Sequence, residues 1–208
     1  SDDIIREYVQ ANGLSNQDLH DLRHTPAADL TPEQRTQLLE IRALIDAPTE
    51  STHLVKIIPI GDVAHYRYNE YQQIRGFIAR ATDLNPWGGL DRVVADARLD
   101  YVPDNGSVNP YTAPGASEYG FIEFQSPDAD NLGVPYSPEF GGTSQYDQPF
   151  SGSGMLLNRD DVWRPEYLAS DWMNFSNGAR LWAVGPDGAR LVGVYIEGIG
   201  FVGHPAGS

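Results

Sequence analysis

The acid with the most reactive setting in this chain is Glu166, in Val-Trp-Arg-Pro-Glu-Tyr-Leu, 162–168. A carboxylate among Trp163, Tyr167 and Leu168 is held by apolar walls that orient it and disfavour its charged form. The competing reading sets it on the solvent face of an edge strand marked by Pro165. Glu123 and Glu197 have similar strand contexts, and Glu139 lies in a loop. The second group of interest is cationic. Arg75 and Arg80 flank Gly76 and Phe77 in one β-type run, and Lys56 stands alone in another. Guanidinium forks suit bidentate binding of phosphate or carboxylate, although ion pairs on a sheet face use the same residues.

Other chemistries are poorly supplied. The chain has no cysteine, so it has neither disulfides nor thiolate ligands. The five histidines are scattered, and only His20 and His24 share a helical face. Pro26 follows that pair closely and no third ligand is in view, so a solvated pair is expected and no metal. There is no Gly-x-Ser-x-Gly elbow, phosphate loop or dinucleotide fingerprint. Ser151-Gly-Ser-Gly154 reads as a turn before a strand.

Composition limits the partners. Acids outnumber bases 29 to 14, for a formal charge of −15, and the basic residues do not cluster. Such a surface repels nucleic acid and anionic lipid. No apolar run reaches the roughly 18–20 residues of a membrane span. No signal peptide or lipidation motif is visible, and Ser1-Asp2-Asp3 is what removal of a leader or an upstream region would leave. Lys56 is the only lysine. GC-rich codon usage explains that, and so does selection against ubiquitination of a chain that enters host cells.

The elements that must position these residues can be read in outline. Residues 1–50 form a helical N-terminal segment. Ile4, Ile5, Tyr8 and Val9 share a face, Gly13 ends that helix, and Ser15 caps the next, with Leu14 and Leu19 at staple spacing. Thr31-Pro32-Glu33-Gln34 combines an N-cap, a first-turn proline and a capping-box glutamine. Leu38, Ile41, Leu44 and Ile45 line the third helix until Pro48.

Residues 51–208 read as a β-rich body within one compact domain. Strands are expected at 53–59, 74–80, 119–125, 155–158 and 162–168, with a turn or short helix at Gly61-Asp62 and a helix over 89–98. Gly185-Pro-Asp-Gly188 joins a hairpin of 179–184 and 189–196, and 198–202 adds an edge strand. Stretches 102–118 and 126–154 are long loops, and Tyr101, Tyr111, Tyr136, Phe140, Tyr146 and Phe150 argue that they are ordered. The expected class is α+β: a short helical segment packed on a mainly antiparallel, twisted sheet or split sandwich.

The order of these pieces resembles the catalytic domain of bacterial mono-ADP-ribosyltransferase toxins. Lys56 on an early strand precedes Arg-Gly-Phe-Ile-Ala-Arg-Ala-Thr-Asp, 75–83, and Arg-Pro-Glu-Tyr, 164–167, leads into Gly-Ala-Arg-Leu-Trp-Ala-Val, 178–184. That family has an arginine on its first strand, an aromatic-Ser-Thr-Ser strand, and a glutamate two residues after Gln or Glu. Here Lys56 replaces the arginine, Phe77 keeps the aromatic without the serines, and Arg164 stands two before Glu166.

The resemblance implies NAD as co-substrate, held by Lys56, Arg75, Phe77 and Arg80, with Glu166 as the catalytic acid. It also implies secretion or delivery into a target cell, and a protein target or cognate inhibitor as partner. Loss of the orienting Gln/Glu leans toward NAD hydrolysis or a different acceptor. Two other readings stay open. The Tyr- and Trp-rich loops suit a non-catalytic protein- or glycan-binding module. Glu123 and Glu166 suit a two-carboxylate glycan-acting enzyme.

Overall fold

The N-terminal helices form where cap chemistry starts them. In a computed structural model, which describes residues 2–103, 105–135, 155–157 and 162–203, α1 spans Asp2–Ala11, α2 Asn16–His24 and α3 Pro32–Ala43. Ser15 and Thr31 each close a capping box, with Asp18 and Gln34 respectively. Each box satisfies two amide donors that the first turn leaves open. The expected readings of 136–154, with Tyr136, Glu139, Phe140, Tyr146 and Phe150, lie outside the described residues, as does His204.

Two compact units divide the chain. The first comprises 1–47 with 132–168, and the second 48–131 with 169–208. The described residues of 132–168 therefore group with the helices and not with the rest of the β-rich body. Trp163 is the physical reason. It is buried in one cluster with Ile5, Val9, Leu19, Leu22, Leu38 and Ile41, and its indole N–H donates to Asn16 Oδ1 at 3.2 Å. Ile4, expected on that buried face, is 43% exposed, while Ile5 and Val9 carry the packing.

The strands are β1 (Leu54–Ile58), β2 (Ile74–Arg80), β3 (Tyr119–Phe124), β4 (Leu132–Gly133), β5 (Met155–Leu157), β6 (Trp163–Pro165), β7 (Tyr167–Met173), β8 (Arg180–Gly185), β9 (Gly188–Ile196) and β10 (Gly200–Gly203). The chain is α+β, with an eight-stranded antiparallel sheet in the order β10-β9-β8-β3-β1-β2-β7-β4 and a separate β5–β6 pair. The run expected as one strand over 162–168 is broken at Glu166. The second strand, β7, continues five residues further to Met173 and passes from the first unit into the second.

Within the second unit, β1 lies centrally, paired with β2 and β3, and its apolar residues alternate between two covered faces. On one face Val55, Ile57, Ala79, Tyr119, Phe121 and Val184 pack with Val93, Val94 and Ala97 of α5 (Leu90–Ala97). On the other lies α4 (Ile60–Arg67). A Cβ on Gly120 of β3 would collide with the Val63 side chain of α4, so the glycine is what lets this helix sit down on the sheet. Tyr66, Phe175, Tyr195 and Phe201 extend the core on that side through edge-to-face and tilted ring contacts.

Candidate functional site

β2 carries three of the four residues expected to hold a dinucleotide, and the structure gives each a different environment. Arg80 ends the strand and pairs with Asp83, Nε to Oδ2 at 2.8 Å, with both side chains mostly buried. It closes the turn after the strand. Lys56, at the middle of β1, donates from Nζ to the Phe77 carbonyl oxygen at 2.9 Å. Gly76 lies beside that contact and supplies a backbone turn that favours glycine. It sits at φ +85°, and a Cβ there would come 3.4 Å from Lys56 Nζ. Lys56, Gly76 and the Phe77 backbone are thus brought together, while the antiparallel register Leu54↔Arg80 and Val55↔Ala79 holds the far end of the pair.

Arg75 points to solvent, and its guanidinium carbon lies 4.5 Å from the ring centroid of Trp172 on β7. Trp172 remains 48% exposed and Phe77 36% exposed. A guanidinium over an indole is a cation–π pair with one ring face supported and a large apolar surface left for a ligand. Trp172 was not among the expected site residues. The signal for it is the alternation of β7, where Ser170 and Trp172 share the outward face.

Glu166 belongs to the first unit and the other four residues to the second. It occupies the break between β6 and β7 and is only 8% exposed, flanked by the fully buried Trp163 and Tyr167. The burial excludes the solvent-facing edge position. The Tyr167 hydroxyl donates to the Asp46 carbonyl oxygen at 2.8 Å, which fixes the backbone next to the acid. Glu123, by contrast, spends Oε2 on the indole N–H of Trp182 at 3.0 Å.

No protein-family model, curated protein or solved structure matches the chain. Function therefore has to be argued from the side chains. Among the described residues no group of three or more His, Asp and Glu is placed to hold a metal ion. The His20 and His24 rings are 4.1 Å apart, and His24 Nδ1 is hydrogen-bonded to the His20 carbonyl oxygen at 2.7 Å. No helix among the described residues is long and apolar enough to cross a membrane.

A second aromatic group lies on the α5 side of the sheet. Trp87, 46% exposed, packs edge-on against Phe121 and Trp182 with centroids 4.8 Å apart in both cases. The loop that carries it is tied down by the Tyr119 hydroxyl, which donates to the Pro86 carbonyl oxygen at 2.6 Å. That hydroxyl is pushed up to about 12 by burial.

Proposed function

We propose that the chain is an NAD-consuming, ADP-ribosyltransferase-like effector domain, secreted or delivered into a target cell. The observation that carries the reading is the Arg75 guanidinium seated over the half-exposed Trp172, with Phe77 exposed on the same strand. An exposed indole stacks a nicotinamide or adenine ring, and a guanidinium takes a diphosphate. In a chain of net charge −15 such a local cation is needed to hold a dianion at all.

Glu166 is the acid that the resemblance implies. As the bond between the nicotinamide nitrogen and ribose C1′ breaks, nicotinamide leaves neutral with the bonding pair. A carboxylate in the role the resemblance gives Glu166 then stabilises the oxocarbenium-like ribose. Water or a protein acceptor forms the new bond to C1′ and gives up one proton. Arg164, two residues earlier, replaces the orienting Gln/Glu of the toxins, which favours water or an unusual acceptor. The partner in this reading is a protein target or a cognate inhibitor.

The test is NAD turnover by the purified chain beside Glu166→Gln, Trp172→Ala and Arg75→Ala. Loss of turnover in Glu166→Gln with NAD binding kept, and a raised KM in the other two, is the expected pattern. Expression in a bacterial cytoplasm should arrest growth, relieved by Glu166→Gln. No NAD loss, with or without cell lysate as acceptor, overturns the reading. In that case the second reading, a non-catalytic protein- or glycan-binding module, takes its place. It is favoured by the exposure of both Trp87 and Trp172.

A further inference from the structure

A row of small residues runs across the α4 side of the sheet. Ile58 pairs with Gly120, Gly120 with Ala183, and Ala183 with Arg190. Directly opposed residues of antiparallel strands share a face, so all four point toward α4. Val63 fills the space over Gly120. Beyond it this face carries the small residues Ala183 and Gly185 beside the helix, and a cleft of about 850 Å³ opens between α4 and the β8–β9 hairpin. One stripe of α4 forms its wall: Ile60, Val63, Ala64, Arg67 and Tyr68. That volume is in the range of sites for drug-sized ligands.

Two arginines face this space. Arg190 stands on the strand at the end of the row. Arg67 ends α4, where the helix carbonyls favour a cation. Arg67 is half-buried and oriented on three sides. Its guanidinium lies against Gly203, where a Cβ would collide with it, Nη1 is 3.5 Å from the Phe201 carbonyl oxygen, and Cζ lies 5.7 Å from the Tyr68 ring centroid. Neither arginine forms an ion pair with a carboxylate among the described residues, although acids outnumber bases 29 to 14. Glu118 and Asp187 also line the cleft, and the Glu118 carboxylate lies against Gly185 at the hairpin end.

We propose that this cleft binds a small organic anion, its phosphate or carboxylate taken by Arg67 and Arg190 and its hydroxyl or amino donors by Glu118. Two guanidinium forks give the anion a bidentate geometry that a surface of net negative charge otherwise withholds. The site is separate from the Arg75–Trp172 platform and does not depend on its role.

The experiment is calorimetric titration at low ionic strength with sodium pyrophosphate and, separately, sodium citrate, which distinguishes phosphate from carboxylate ligands. Saturable binding of one probe at one site is expected. Arg67→Ala and Arg190→Ala should each weaken it at least about tenfold, the scale of one lost charge-assisted contact. Glu118→Gln should tighten it by removing a like charge. Arg180→Ala removes the same charge from the opposite face of the sheet, since Arg180 pairs with Glu123, and should leave binding unchanged. Arg190 is exposed, so its variant keeps the test valid if Arg67→Ala fails to fold. No saturable binding of either probe overturns the proposal. Equal weakening by Arg180→Ala overturns it too, because the effect would then be general electrostatics.

Discussion

Replacing Gly120 by alanine tests how closely α4 is seated on the sheet. The added Cβ would overlap Val63 Cγ2, approach Ile58 Cγ1 to 3.0 Å and come within 3.2 Å of the Trp182 carbonyl oxygen. The last of these is backbone in a paired strand and cannot yield. Gly120 has no left-handed φ, so the substitution carries no backbone strain. Alanine would by itself stabilise by about 0.4–1 kcal/mol through the unfolded state. Overpacking a tight core opposes that by about 1–3 kcal/mol, and an overlap with a β-branched side chain belongs in the upper part of the range.

The net expectation is a loss of about 1.5–2 kcal/mol, or about 3–8 °C in Tm for a chain of this size. Urea unfolding followed by circular dichroism measures it. Val63→Ala clears the obstructing methyls, so the double variant should be more stable than additivity predicts, by about 1–2 kcal/mol. A Gly120→Ala chain within about 0.5 kcal/mol of the parent would refute the packing argument. So would strictly additive behaviour of the pair.

Three further outcomes follow from local chemistry. Thr31→Ala removes the side-chain acceptor for the Gln34 amide and should destabilise the chain by about 1 kcal/mol, which denaturant unfolding will register; Thr31→Ser should restore it. Tyr119→Phe strands the Pro86 carbonyl oxygen in a buried site and should cost about 1–2 kcal/mol in the same assay, with a change in Trp87 fluorescence. Burial pushes the Tyr119 and Tyr8 hydroxyls up to about 12, the latter helped by Glu40, and raises those of Tyr66 and Tyr111 as well. Folded values above the ordinary 10 mean that this contribution is complete below pH 10 and lost as pH climbs from 10 toward 12. An ultraviolet difference titration should therefore show tyrosines that ionise only with unfolding. A single transition near pH 10 for all of them would contradict their burial.

What could be read in the chain before its structure divides by the range of the forces involved. α3 was legible because Thr31, Pro32 and Gln34 act within one turn, and the β8–β9 hairpin because Gly185 and Gly188 bound a two-residue turn. The second half of β7 was not, since Ser170 and Asp171 carry little strand preference and the segment is a strand through its place in the sheet. The same rule governs the site. The partner of Arg80 is three residues away and belongs to its own turn, whereas the partner of Arg75 is Trp172, on a strand paired through the fold. Glu166 was read as an acid in apolar company, which its burial matches, but nothing local assigns it with Trp163 to the helical unit. One long-range feature did leave a local mark. Gly120 interrupts a strand of otherwise large and mostly apolar residues, and a glycine in that position calls for a close neighbour. The neighbour is α4, whose Val63 covers Gly120 and also lines the Arg67–Arg190 cleft. A substitution that fills Gly120 should therefore disturb helix packing and anion binding together, whereas Arg190→Ala should affect only the second.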